Sequence, residues 1–189
     1  MHKYLPNKFI FLDNYNDHFF KNHNTNIGVI YRNYKALNRK FELQKIAEAC
    51  KKCNYQLFVS NDIKLAIKVK ANGIYIPSFN KNKKFCNIEN NNFKVLGSAH
   101  NQKQIFEKIT QKCQLIFLSP IFFVKKKKKF LGLHKFNYLS YNNKISFIAL
   151  GGINENNIST LKLLNAKGFA GISLFKKKPA YKRPVFLKN

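Results

Sequence analysis

Acidic residues are scarce in this chain: 8 Asp and Glu stand against 35 Lys and Arg, giving a formal charge of +27 over 189 residues. Such a balance ordinarily points to nucleic acid or an anionic membrane surface. Here the lysines are spread along the whole chain, tryptophan is absent, and no basic motif interleaved with aromatics of the RNA-binding kind occurs. No specific nucleic-acid partner is therefore expected. Long apolar runs are lacking as well. Nowhere do about 18 apolar residues follow without interruption, and the opening MHKYLPNKFIFLDNY has too short an apolar stretch for a signal peptide, so no membrane partner and a cytoplasmic location are expected. Cysteine is limited to Cys50, Cys53, Cys86 and Cys113. Cys50 and Cys53 form one C-x-x-C with no second pair at zinc-like spacing, and they extend the apolar face Leu43, Ile46, Ala47 of a predicted helix. Core packing with reduced thiols is the expectation. With so few carboxylates, any that stands beside a motif gains weight, and Asp62 is one.

What the chain does have is a hydrophobic content of 45%, enough to bury a core, in a length that fits one domain over 1–189. Eight short apolar runs read as strands: Lys8 to Leu12, Ile27 to Tyr31, Gln56 to Ser60, Gly73 to Ile76, Phe93 to Leu96, Leu115 to Leu118, Ile145 to Leu150 and Phe169 to Leu174. Between them, Asn38 to Cys53, Asp62 to Ala71, Gln102 to Lys112 and Asn156 to Leu164 place apolar residues at helical spacing. Strands that are apolar throughout, rather than at alternate positions, are buried on both faces, which marks a parallel sheet covered by helices. Eight units predict a compact α/β barrel, the (β/α)8 TIM barrel. An open doubly wound sheet is the alternative, but the G-x-G-x-x-G turn it would carry after its first strand is missing.

In such a barrel the chemistry sits at the carboxyl ends of the strands, and the loops after strands seven and eight often hold phosphate. Gly151 and Gly152 follow the seventh strand and Gly171 opens GISLFKKK, so backbone N–H groups there can approach an oxyanion closely. After the sixth strand comes SPIFFVKKKKKFLGL, Ser119 to Leu133, with five consecutive lysines. Cations massed at a strand's carboxyl end suggest a bound anion, although a solvated loop has the same composition.

Taken in order, GVIYRNYK (28 to 35), LFVSNDIKLAIKVKANGIYIPS (57 to 78), VLGSAHN (95 to 101), SPIFFVKKKKKFLGL and ALGGINENN (149 to 157) resemble the thiamine phosphate synthase and TenI family. The asparagine-aspartate pair ending the third strand, followed by a helix and the GxYI segment, is the most specific part. The resemblance implies a barrel that joins a hydroxymethylpyrimidine diphosphate to a thiazole phosphate, releasing pyrophosphate with the help of Mg²⁺. It implies small phosphorylated substrates as partners and leaves homo-oligomerisation open. By the same resemblance Arg32 and Lys127 are catalytic cations, and Asp62 is the metal ligand. Asn61, Ser98, Gly152, Phe175 and Lys176 join Arg32 and Lys127 in binding substrate. Each has an ordinary alternative: Asp62 also stands where an aspartate caps a helix, Asn61 where an asparagine serves a turn, and Lys127 has four neighbours able to replace it. His100 and His134 receive no role.

The chain departs from the family pattern at several positions. Ile30 replaces a glutamine, and Tyr34 a lysine, with Lys35 adjacent. Tyr75, Ser78 and Asn80 replace a histidine, a glutamine and the second metal aspartate, while Val124 and Lys126 replace threonines and Lys176 a serine. These leave three accounts: a divergent synthase, a thiazole tautomerase of the TenI kind, or a noncatalytic phosphate-binding regulatory barrel. The tautomerase histidine would fall near Pro120, and proline there fits the synthase pattern.

Overall fold

In a computed structural model, which describes residues 4–22, 26–84, 93–125, 129–141 and 143–171, all eight predicted strands form and pair in parallel into a closed barrel. The strands are β1 (Lys8–Leu12), β2 (Gly28–Tyr31), β3 (Gln56–Ser60), β4 (Gly73–Ile76), β5 (Lys94–Ala99), β6 (Leu115–Leu118), β7 (Ser146–Leu150) and β8 (Gly168–Gly171). Closure is made by β1 against β8, with Phe9 opposite Ala170. Burial on both faces, the property read from the apolar runs, holds throughout β2, β3, β4, β6 and β8.

Strand residues divide between two environments. Phe9, Phe11, Ile30, Phe58, Tyr75, Leu96, Leu115, Phe117, Ile148 and Ala170 fill the barrel interior, while their strand neighbours, such as Val29, Leu57, Ile74 and Ile116, pack outward under the helices. Phe9 fits inside because Gly28 opposite it has no side chain; a Cβ there would lie 2.2 Å from the ring.

The helices are α1 (Asp17–Asn22), α2 (Arg39–Lys52), α3 (Ile63–Lys68), α4 (Gln102–Thr110) and α5 (Gly132–Tyr141), with a 3₁₀ helix over Ile158–Leu163. Two of these, α1 and α5, were not expected from the periodicity. The first is a single short segment. The second buries Phe136, Leu139 and Ser140 at helical spacing, but its aromatic content and the lysines before it obscure the pattern. The predicted α-helix over Asn156 to Leu164 is instead the 3₁₀ helix. Its asparagines and threonine bind backbone locally: Thr160 Oγ1 donates to the Asn157 carbonyl at 2.7 Å and Asn157 Oδ1 accepts from the Asn154 N–H at 2.8 Å, diverting groups a regular helix would use. Strand β5 runs to Ala99, three residues past the predicted end, which places Ser98 within the strand rather than beyond it.

Cys50 packs in the outer core, burial pushing its thiol pKa upward, and Cys53 is half-buried with its Sγ 3.5 Å from the Phe20 carbonyl. Neither forms a disulfide, nor does Cys113, while Cys86 lies outside the described residues. Among the described residues no helix is long and apolar enough to cross a membrane.

Candidate active site

Three aromatic rings close the barrel interior just below its carboxyl-end mouth. Phe11, Tyr75 and Phe117 meet edge to face, with centroids 5.3, 5.4 and 5.9 Å apart, an arrangement favoured by the ring quadrupoles. All three are buried, so they form a dry floor. Ser98 lies beside Tyr75. Burial pushes the Tyr75 phenol pKa upward, against a weaker opposing pull from hydrogen bonding with Ser98.

Around this floor the strand ends present polar groups. Arg32 follows β2, its N–H donating to the Leu12 carbonyl at 2.9 Å. Its guanidinium lies 5.1 Å from the centre of the Phe11 ring, and its Nε stands 3.6 Å from Asp13 Oδ1. The Arg32 side chain is 37% exposed, so its fork faces both the floor and solvent, where an anion can reach it.

After β3, Asn61 takes a left-handed conformation with φ of 62°, the conformation its side chain tolerates best after glycine. Its Oδ1 accepts a short hydrogen bond from Asn80 Nδ2, which ties the loop after β3 to the loop after β4. Asp62 caps α3: Oδ1 accepts from the Leu65 N–H at 2.9 Å. The helix-cap alternative for Asp62 is therefore realised. Its other oxygen, Oδ2, accepts from Arg39 Nη1 at 2.9 Å, while Arg39 Nη2 donates to the Ser60 carbonyl at 2.9 Å. The guanidinium carbon of Arg39 stands 5.8 and 5.9 Å from the ring centres of Tyr31 and Tyr34. Tyr34, at the family's lysine position, has its phenol oxygen 2.5 Å from Ser60 Oγ and its ring edge-on to Phe79.

The mouth continues at the loops after β6 and β7. Ile121 N–H donates to the Leu150 carbonyl and Phe122 N–H to the Gly151 carbonyl, at 3.0 and 3.1 Å. At the far end of the loop, Leu131 and Gly132 N–H groups donate to the carbonyls of Pro120 and Ile121, at 2.9 and 3.0 Å. The loop bearing the lysine run is thus pinned at both feet to the same rim as Arg32 and Asp62. Gly152 adopts φ of 74°, and a Cβ there would come within 2.6–2.7 Å of backbone atoms of Phe122 and Phe123. Its carbonyl accepts from Asn157 Nδ2 at 2.8 Å. Lys127, Phe175 and Lys176 lie outside the described residues. Of the expected site residues, Arg32, Asn61, Asp62, Ser98 and Gly152 come together at the carboxyl rim.

The reading from sequence missed Arg39, which binds Asp62. One signal was present: the chain uses lysine for almost every cation and has three arginines, Arg32, Arg39 and Arg183. Two of them stand at this mouth, where a planar fork matters. Also missed was Lys108 of α4, a fully buried lysine. Its Nζ donates to the Asn80 carbonyl at 2.7 Å and to Gln111 Oε1 at 2.8 Å, and Gln111 Nε2 donates to the Asn80 and Asn82 carbonyls at 3.0 and 2.9 Å. This network holds the loop after β4 from beneath.

Burial lowers the Lys108 pKa from its ordinary 10.5. The unfolded chain therefore binds the extra proton over the interval below 10.5, so stability due to this group rises with pH through that interval. Cys50 and Tyr75, whose pKa values burial raises, act in the opposite direction over the same range, so the Lys108 contribution is read as a difference. Between pH 8 and 10 the stability of the native protein in urea unfolding is expected to rise relative to that of Lys108→Met, and parallel profiles would remove Lys108 as a contributor.

Asp62, implied as the residue that holds Mg²⁺, does not fit the ion, and neither do the amides beside it. Asp62 has one oxygen on a helix N–H and the other on a guanidinium. Asn80, in the position of the family's second metal aspartate, has Oδ1 accepting from the Asn82 N–H at 2.8 Å. Asn61 Oδ1 accepts from Asn80. Every oxygen of the set already faces an N–H donor, and a divalent ion at Asp62 would sit against the Arg39 charge. Mg²⁺ asks for near-octahedral oxygen ligands with one or two carboxylates. Among the described residues, no group of three or more His, Cys, Asp or Glu side chains could hold a metal.

The chain was compared with known proteins. A family described as thiamine monophosphate synthase matches residues 26–175. A thiamine-phosphate synthase of Prochlorococcus marinus subsp. pastoris is 32% identical over 142 residues, covering 72% of this chain and 40% of that protein. The first curated relatives share that proportion, so the chain spans about two-fifths of their length. A thiamine-phosphate synthase of Hydrogenobaculum is 28% identical over 151 residues, 77% of this chain and 71% of that protein. Among solved structures, a thiamine phosphate pyrophosphorylase from Pyrococcus furiosus superposes with a TM-score of 0.71 at 18% identity, covering 88% of this chain and 85% of that one. That likeness shows the barrel.

Proposed function

Because the chain belongs to the thiamine monophosphate synthase family, we propose that it is a transferase of thiamine biosynthesis that joins hydroxymethylpyrimidine diphosphate to thiazole phosphate. The bond between the pyrimidine methylene and the diphosphate oxygen breaks, and its electron pair leaves with pyrophosphate. The lone pair of the thiazole nitrogen then forms the new C–N bond to the methylene cation.

The observation that carries this reading is the gathering of Arg32, Asn61, Ser98 and Gly152 on one rim, above a buried aromatic floor, with both feet of the lysine loop beside them. Negative charge grows on the leaving pyrophosphate, and preorganised cations stabilise it most where water is excluded. Arg32, exposed toward the mouth, supplies one such cation and Lys127 the second. Asn61 and Ser98 orient the pyrimidine, and the Gly152 amide with those of Phe175 and Lys176 receives the thiazole phosphate. Holding both partners over the floor turns capture of the cation into a first-order step. Arg32 and Lys127 can fill these roles without a metal step.

One observation favours a second reading. His100 Nδ1 lies 2.6 Å from the Ser119 carbonyl, next to Pro120, where a tautomerase would carry its histidine. Incubating the purified chain with both substrates separates the readings. Thiamine phosphate and pyrophosphate are expected in equal amounts; proton exchange on the thiazole phosphate without coupling would support the tautomerase, and binding of either ligand with no chemistry would leave a regulatory barrel.

A further inference from the structure

Asp62 lies at the mouth where a diphosphate would bind under the proposed function, and an uncompensated carboxylate there repels that ligand. A barrel can remove the repulsion with a divalent ion or with a fixed cation. This chain has the second arrangement: Arg39 Nη1 lies 2.9 Å from Asp62 Oδ2, its Nη2 is anchored on the Ser60 carbonyl at 2.9 Å, and the Arg39 and Asp62 side chains are 20% and 32% exposed. The guanidinium carbon also stands 5.8 and 5.9 Å from the ring centres of Tyr31 and Tyr34, within the range of cation–π attraction. The amide pair Asn61–Asn80 occupies the remaining oxygen positions with internal hydrogen bonds.

We propose that Arg39 replaces the divalent cation at Asp62, so that this chain binds diphosphate without a metal ion. Arg39 acts through Asp62 rather than by touching the ligand: it is a positioning residue that neutralises the carboxylate, leaving Arg32 and the lysine loop to attract the anion. The inference rests on reading the mouth as a diphosphate site, and the experiment separates the two.

The test is calorimetric titration of the 189-residue chain with inorganic pyrophosphate, in excess Mg²⁺ and in EDTA. The affinity in EDTA is expected to stay within about threefold of that in Mg²⁺, because the fixed pair already supplies the compensating charge. Arg39→Met leaves Asp62 charged and alone, and is expected to weaken binding in EDTA by about tenfold, the effect of one unit charge across a partly solvated mouth. The double variant R39M/D62N removes both charges and is expected to restore it, a rescue that loss of a merely structural contact would not give. A loss of more than about tenfold when EDTA replaces Mg²⁺ in the native protein, against the near-equality expected from a fixed counter-charge, overturns the proposal while leaving the diphosphate reading intact. Absence of pyrophosphate binding in both buffers overturns both.

Discussion

Replacing Arg32 by alanine is expected to lower kcat/KM for thiamine phosphate formation by about 10² to 10³, the usual effect of removing one preorganised donor from developing negative charge. The effect is large because Arg32 stands on the barrel rim over a buried aromatic floor, where a cation is worth more than on an open surface. Its pairing with Asp13, at 3.6 Å with both side chains well exposed, contributes little to folding. Folding stability should therefore change by no more than about 1 kcal/mol, so lost activity reads the site and not the fold. Arg32→Lys restores the charge but not the planar fork. A variant intermediate between native and alanine would assign part of the effect to bidentate geometry. If Arg32→Ala turned over at the native rate in steady-state assays, Arg32 would have no place in charge stabilisation.

The second large effect concerns Gly152. A methyl group at this position meets main-chain atoms of Phe122 and Phe123 at 2.6–2.7 Å, not the ends of flexible side chains, and φ of 74° adds the left-handed penalty. Together these are expected to cost Gly152→Ala about 2–5 kcal/mol, a fall in Tm of roughly 10 °C for a chain of this size, measured by thermal unfolding. Relief of the clash would push the loop after β6 away from β7 and carry the lysine loop with it, so activity should fall even at temperatures where the variant stays folded. Native stability in Gly152→Ala would show that the two loops are not packed this closely.

The barrel was legible because its signal is repeated: eight apolar runs, each buried on both faces, at intervals long enough for a return connection. The rim residues were legible for a related reason. A strand end fixes which residue stands at the rim, as with Arg32 after β2 and Asn61 after β3, and the family resemblance singled those two out. The Arg39–Asp62 pair was not legible. It joins α2 to the start of α3 across 23 positions, and neither residue's local pattern announces the other. Lys108 was hidden for the same reason: on its helix it reads as a solvated lysine, and only the loop after β4 folding over it makes it a buried donor. The short helix α1 and the 3₁₀ segment were obscured by weak periodicity, since local side-chain hydrogen bonds rather than an apolar stripe set their geometry.

The feet of the lysine loop, clamped where Leu131 meets Pro120 and Gly132 meets Ile121, act as a tether. Lys127 is four residues from Leu131, so its Cα stays within about 15 Å of that foot in any conformation. Under the proposed function, each of the five lysines of the run would meet a diphosphate at the mouth at an effective concentration in the millimolar range or above. Selection can then act on the number of lysines in the loop and on the integrity of its anchors, while the identity of the contacting lysine is free to drift.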